Sequence, residues 1–148
     1  MTIPKTTDAR TGSLTQSADS MGHIGGFQVS LFSVANLAAP AKLATYALAQ
    51  SNSAAEFDPH AFLYWPTTGS AVLPVNSWTS GGYSQSALVL TISPSEIAVA
   101  GTISQPGGGD AVGISRAMVI GNELWTLSDS GLMVSDLGSL TMRAWIAF

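Results

Sequence analysis

Residues 114–148 read ISRAMVIGNELWTLSDSGLMVSDLGSLTMRAWIAF, a string that resolves into four strand candidates joined by very short turns. Ile114 to Ile120, Glu123 to Ser128, Leu132 to Leu137 and Leu140 to Phe148 are rich in β-branched, aromatic and aliphatic residues. Gly121-Asn122 and Ser130-Gly131 stand between them as turn formers. In the last segment strict alternation puts Leu140, Met142, Ala144, Ile146 and Phe148 on one face and Thr141, Arg143 and Trp145 on the other. Connections this short leave room only for antiparallel hairpins, since a parallel pairing needs a crossover of a dozen residues or more.

Upstream, the same layout returns. His60 to Trp65, the turn Pro66-Thr67-Thr68-Gly69, and Ala71 to Val75 make one hairpin. Ser84 to Ile92, the turn Ser93-Pro94-Ser95, and Glu96 to Ile103 make a second, with Leu88, Leu90 and Ile92 on one face. Earlier still, Phe27, Val29 and Leu31 alternate with Gln28 and Ser30 in a strand from Phe27 to Val34. Ala41 to Gln50 carries alanines at helical spacing, yet it follows a strand and a turn and puts Leu43, Thr45 and Ala47 on one face, which favours a returning strand. Phe27 to Leu48 therefore matches only the second half of the unit, and the chain is expected to begin mid-unit. Residues 1–25, mostly Thr, Ser, Asp and Gly, read as a flexible tail.

Four antiparallel strands per ~40–50 residues is the period of a β-propeller blade, whose faces are hidden against its neighbours. The expected fold is all-β: antiparallel four-stranded blades of an incomplete β-propeller, about two and a half of them, over residues 26–148. Three stretches carry a more specific likeness: Gly26 to Phe32, Asp58 to Pro66 (DPHAFLYWP), and Ser115 to Gly121 continuing through Leu124 to Leu132. In that order they resemble the secreted bacterial proteins with a C-terminal β-propeller domain distantly related to WD repeats. The likeness runs over residues 25–148. It implies an extracytoplasmic binding scaffold, with Asp136-Leu137 and the final apolar strand near the natural C-terminus of the propeller. It supplies no catalytic residue to transfer. Members of that family carry several more blades upstream, which this chain lacks.

Composition narrows the function classes. The 148 residues are 46% hydrophobic and 9% charged, the profile of a packed chain and not of a disordered one. Five basic residues (Lys5, Arg10, Lys42, Arg116, Arg143) are scattered and the net charge is -4, which disfavours nucleic acid, whose phosphates need clustered Lys and Arg. There is no cysteine, hence no disulfide, thiolate metal site or cysteine nucleophile. No run approaches the ~18 apolar residues of a membrane span, and no signal-peptide h-region is visible.

Candidate chemistry is sparse. Glu56, Asp58 and His60 fall at alternate positions, so in an extended segment they would point the same way and could grip a divalent ion. A pair of carboxylates with one His lacks the further ligands a metal needs, and His60 hydrogen-bonded to a turn explains the pattern equally. His60, Asp129 and Ser130 contain the residue types of a hydrolase triad, but no Gly-x-Ser-x-Gly elbow is present and Asp129-Ser130-Gly131 reads as turn chemistry. Gly107-Gly108-Gly109-Asp110 lacks the Lys-Ser or Lys-Thr of a phosphate loop. Of the four tryptophans, Trp65, Trp125 and Trp145 read as core, whereas Trp78, set in a polar loop of Asn, Ser, Thr and Gly, is the candidate binding residue.

The reading favoured is a non-enzymatic interaction scaffold of the bacterial cell envelope or exterior, without cofactor, that binds a protein or a glycan polymer. A metal-assisted hydrolase using Glu56, Asp58 and His60 is the alternative, and a truncated propeller remnant with no independent role is a third. Open blade edges imply homo-oligomerisation or marginal stability.

Overall fold

The computed structural model describes residues 2–3, 10–18, 24–106 and 113–148. Among the described residues thirteen strands build three antiparallel sheets. The first contains β1 (Thr2–Ile3), β2 (Arg10–Ala18), β3 (Ile24–Ser33) and β4 (Ala41–Ala49), in that order. The second has β5 (Ser51–Asn52), β7 (Ser70–Thr79), β8 (Gly82–Ile92) and β9 (Ile97–Ile103) as its path, with β6 (Leu63–Trp65) also paired to β7. The third runs β10 (Arg116–Ile120), β11 (Glu123–Ser128), β12 (Gly131–Asp136) and β13 (Met142–Ala147). The all-β expectation of incomplete four-stranded blades holds, and no sheet closes on itself among the described residues.

Why these sheets stack is written in the middle one. From Ser70 to Val75, and again from Ala87 to Leu90, every residue is buried. Successive side chains of a strand point to opposite faces, so an unbroken buried run means a sheet covered on both sides. Ala71, Leu73, Val75, Leu88 and Leu90 meet Phe27 and Val29 of the first sheet, with Tyr46 and Leu48 against them. Val72, Ala87, Val89 and Ile103, on the opposite face, meet Leu124 and Met133 of the third sheet together with Ile114 and Leu137. The two clusters share no residue. They are the two blade-to-blade contacts.

Pro74 lies inside the buried run, where a missing backbone donor ordinarily breaks a ladder. It is tolerated because β7 pairs β6 only at Ser70–Val72 and β5 only at Asn76–Ser77, so no strand among the described residues pairs with Pro74 on that edge. The Ser53 hydroxyl donates to the Pro74 carbonyl at 2.6 Å instead. Gly69, with φ +69°, closes the Pro66–Gly69 turn between β6 and β7 as expected, and a side chain there would run into the Ile92 carbonyl.

Several expectations need correction. Arg10–Ala18 is not tail: it forms β2, paired with β3 from Arg10↔Ser33 to Ala18↔Ile24. The first unit thus extends beyond the half expected from Phe27–Leu48. The sequence RTGSLTQSA hides this strand because its outer-facing positions are Ser and Thr, while Leu14 packs against the core. The rest of the expected tail, residues 1, 4–9 and 19–23, lies outside the described residues, as does the Gly107–Asp110 loop. Ala41–Ala49 is a strand, so the competing helical spacing was incidental. His60 does not begin a strand: Pro59–Ala61 is a 3₁₀ turn, preceded by another at Ala54–Glu56, and the strand starts at Leu63.

The last strand also departs from simple alternation. The pairing of β12 with β13 shifts register between Val134 and Ser135. Leu140, held at φ +58° in the preceding turn, and Trp145, which alternation assigns to the opposite face, consequently pack on the same core cluster. Arg143 is swung onto Asp136, with Glu123 at 3.8 Å. Asp136 also accepts from the backbone N–H groups of Ser139 (2.9 Å) and Gly138 (3.0 Å). Those turn hydrogen bonds, Ser139 foremost, hold its carboxyl below the ordinary carboxylate range.

Candidate functional site at the rim between the first two sheets

Where the first and second sheets meet, five segments end around one cavity of about 260 Å³. Gln16 comes from β2, Gly25 and Gly26 from β3, Gln50–Asn52 from the link into β5, Glu56 from the first 3₁₀ turn, and Trp78 from the far end of β7. The link is pinned on both sides. Gln50, at φ +49°, turns the chain out of β4, and its carbonyl accepts from the Trp78 backbone N–H at 2.8 Å. Asn76 donates to Asn52 at 2.9 Å, and Gln85 donates to Asn76 at 2.8 Å and to the Tyr83 hydroxyl at 2.7 Å. An amide relay therefore runs from the cavity wall to the edge of the second sheet.

Trp78, expected in a loop, sits inside β7 directly opposite Tyr83 of β8. Their ring centroids lie 5.7 Å apart, tilted by 42°, and the residues are 45% and 39% exposed. The pair flanks the two-residue turn Ser80-Gly81. A cross-strand aromatic pair of this kind is rigid and presents a ring face to solvent. Two aromatics flanking the Ser-Gly-Gly turn are the signal that points to Tyr83. Gln16, Gln50 and Asn52 carry no comparable local signature, because only the packing of two sheets brings them together.

The three residues read as metal ligands are dispersed by the 3₁₀ turns. Asp58 caps the second turn, accepting from the His60 backbone N–H at 2.9 Å, with the His60 ring at 3.2 Å and Arg116 at 2.9 Å. The capping hydrogen bond, aided by Arg116, holds the Asp58 carboxyl low. Glu56 goes elsewhere: it lines the rim cavity, and both its carboxylate oxygens are shielded from solvent without a hydrogen-bond partner among the described residues. No group of three His, Asp or Glu suited to a metal ion occurs among the described residues. Asp129 and Ser130 form the two-residue turn between β11 and β12, while His60 is engaged with Asp58.

The sequence profile of the family described as "Beta propeller domain" matches residues 7–140. The chain belongs to the β-propeller domain family. The match runs from before β2 to the end of β12, so strands β2 to β4 of the first sheet are part of the propeller and not an appendage. No curated protein and no solved structure matches the chain. Within a propeller, blade faces are consumed by stacking and the ends of the strands and their connections carry recognition. The rim cavity lies in such a position.

Proposed function

We propose that this β-propeller domain is a non-enzymatic interaction scaffold of the bacterial cell envelope or exterior that binds a neutral surface glycan at the rim between its first two blades. The carrying observation is the Trp78–Tyr83 pair beside a cavity walled by Gln16, Gln50, Asn52 and Glu56. An exposed indole offers an apolar face for a sugar ring. Amides and a carboxylate offer the acceptors and donors that hydroxyl groups require. The cavity is smaller than the ~300–1,000 Å³ of sites that engulf a drug-sized ligand, which suits the end or one ring of a polymer lying across the rim. Glu56, an acceptor without a donor among the described residues, gives such a ligand something to satisfy. The resemblance to secreted bacterial propeller proteins supports the location.

An array of neutral and acidic oligosaccharides probed with the 148-residue chain tests this. Retention on neutral members is expected, with Trp78→Ala and Glu56→Gln each weakening it about tenfold or more, roughly 1.4 kcal/mol. An array with no binding, or binding indifferent to Trp78→Ala, contradicts the reading.

A further inference from the structure

Hydrogen-bond direction along the amide relay sets what the rim cavity can recognise. Gln85 gives both of its Nε2 hydrogens away, one to the side-chain oxygen of Asn76 at 2.8 Å and one to the hydroxyl oxygen of Tyr83 at 2.7 Å. Asn76 in turn donates to the side-chain oxygen of Asn52 at 2.9 Å. Each link spends an acceptor of the next residue, so both ends of the relay are left with a donor to offer. At the cavity that donor is the Nδ2 group of Asn52, which gives to no group among the described residues. At the rim it is the Tyr83 hydroxyl, whose oxygen already accepts. Glu56, lining the same cavity, is the opposite case: its carboxylate oxygens are acceptors with no donor among the described residues.

We propose, resting on the glycan reading above, that the sugar unit held at this rim is an N-acetylhexosamine, whose acetamido carbonyl accepts from Asn52 and whose acetamido N–H donates to Glu56. The substituents that sugar rings carry are sorted by the fixed polarity of these two side chains. An ammonium has donors only, so it satisfies Glu56 and leaves Asn52 facing another donor. A carboxylate has acceptors only, and it brings a second negative charge beside Glu56. A hydroxyl takes either role, so a relay of fixed direction gains no discrimination from it. An acetamido group carries one fixed donor and one fixed acceptor on a rigid plane, the complement of this pair. Its methyl and amide plane also offer apolar area to the exposed Trp78 indole, and Gly25 leaves part of the cavity wall free of a side chain. A site built this way rejects analogues that leave its polar groups unpaired.

Isothermal titration calorimetry with the β-1,4-linked tetrasaccharides of N-acetylglucosamine, glucosamine and glucose, which differ only in the substituent at C2, tests the proposal. The N-acetylated tetrasaccharide is expected to bind wild type about tenfold or more tighter than either of the others. Asn52→Asp keeps the oxygen to which Asn76 donates and replaces the free Nδ2 group by a second acceptor at nearly unchanged shape. It is expected to weaken the N-acetylated ligand about tenfold and to turn the preference toward the free amine, a reversal that loss of folding cannot produce. Should this variant unfold, Asn52→Ser withdraws the donor without adding charge and is expected to abolish the preference. Equal wild-type affinity for the N-acetylglucosamine and glucose tetrasaccharides overturns the proposal and leaves the glycan reading standing. A wild-type preference for the amine overturns it, as does a preference for the acetamido group that both variants leave intact. Binding of none of the three overturns it too, and the wider array of neutral oligosaccharides then decides whether the glycan reading falls with it.

Discussion

Leu73→Ala and Leu124→Ala each lower the unfolding free energy by about 2–5 kcal/mol, and the double variant loses the sum of the two. Leu73 and Leu124 are both 0% exposed. They belong to different clusters, Leu73 to the contact between the first and second sheets and Leu124 to that between the second and third. Each truncation removes transfer free energy and leaves a cavity that a sheet anchored on two sides closes poorly. Because the clusters share no side chain, the losses add, and the sum approaches the ~5–15 kcal/mol that holds a typical domain together. Urea unfolding of the four proteins is the measurement. Near-complete unfolding of the double variant in buffer is the expected extreme, and a double variant no weaker than the single ones shows that the clusters are a single unit.

The second large effect is at a backbone approach. Gly131 opens β12 opposite Ala147, and a Cβ built on it meets the Ile146 carbonyl oxygen and the Trp145 ring, the latter at 2.7 Å. Neither neighbour yields easily, since one is strand backbone and the other is an indole packed on the core. Gly131→Ala therefore costs about 1–3 kcal/mol through overpacking. Gly25→Ala, where a Cβ meets nothing within 4 Å among the described residues, stays within about 0.5 kcal/mol of wild type. Thermal unfolding of both variants reads the contrast, and equal midpoints contradict the close approach at Gly131.

Much of this architecture is legible in the chain alone, and the reasons it fails elsewhere are physical. The hairpins of residues 114–148 and 70–103 are plain because both carry strong β formers separated by Gly, Asn or Pro turns. Strand β2 is not, because a sheet face that meets no apolar partner needs no hydrophobic alternation, and Thr-Gly-Ser-Leu-Thr-Gln-Ser is indistinguishable from loop composition. Periodicity runs through Asp58-Pro59 without a break and so places His60 in a strand, whereas the pair caps and starts a 3₁₀ turn. The faces of β13 are not legible either, because the register shift opposite Val134–Ser135 leaves no mark in residue type.

The candidate site follows the same division. Trp78 stood out as an aromatic in polar surroundings, and Glu56 as a carboxylate near a His, although its neighbours prove to be Gln16, Gln50 and Trp78 and not Asp58 and His60. A cavity assembled from β2, the β4–β5 link and the end of β7 is a product of stacking, which no local window of sequence contains.

Amide hydrogen exchange of the 148-residue chain tests the central claim most directly, since a sheet covered on both faces opens only when a neighbour is lost. The amides of β7 and β8 within residues 71–75 and 87–90 are predicted to be the slowest in the protein, outlasting those of β4 and β13. Exchange in these two segments as fast as in β4 or β13 contradicts a middle blade clasped between two others.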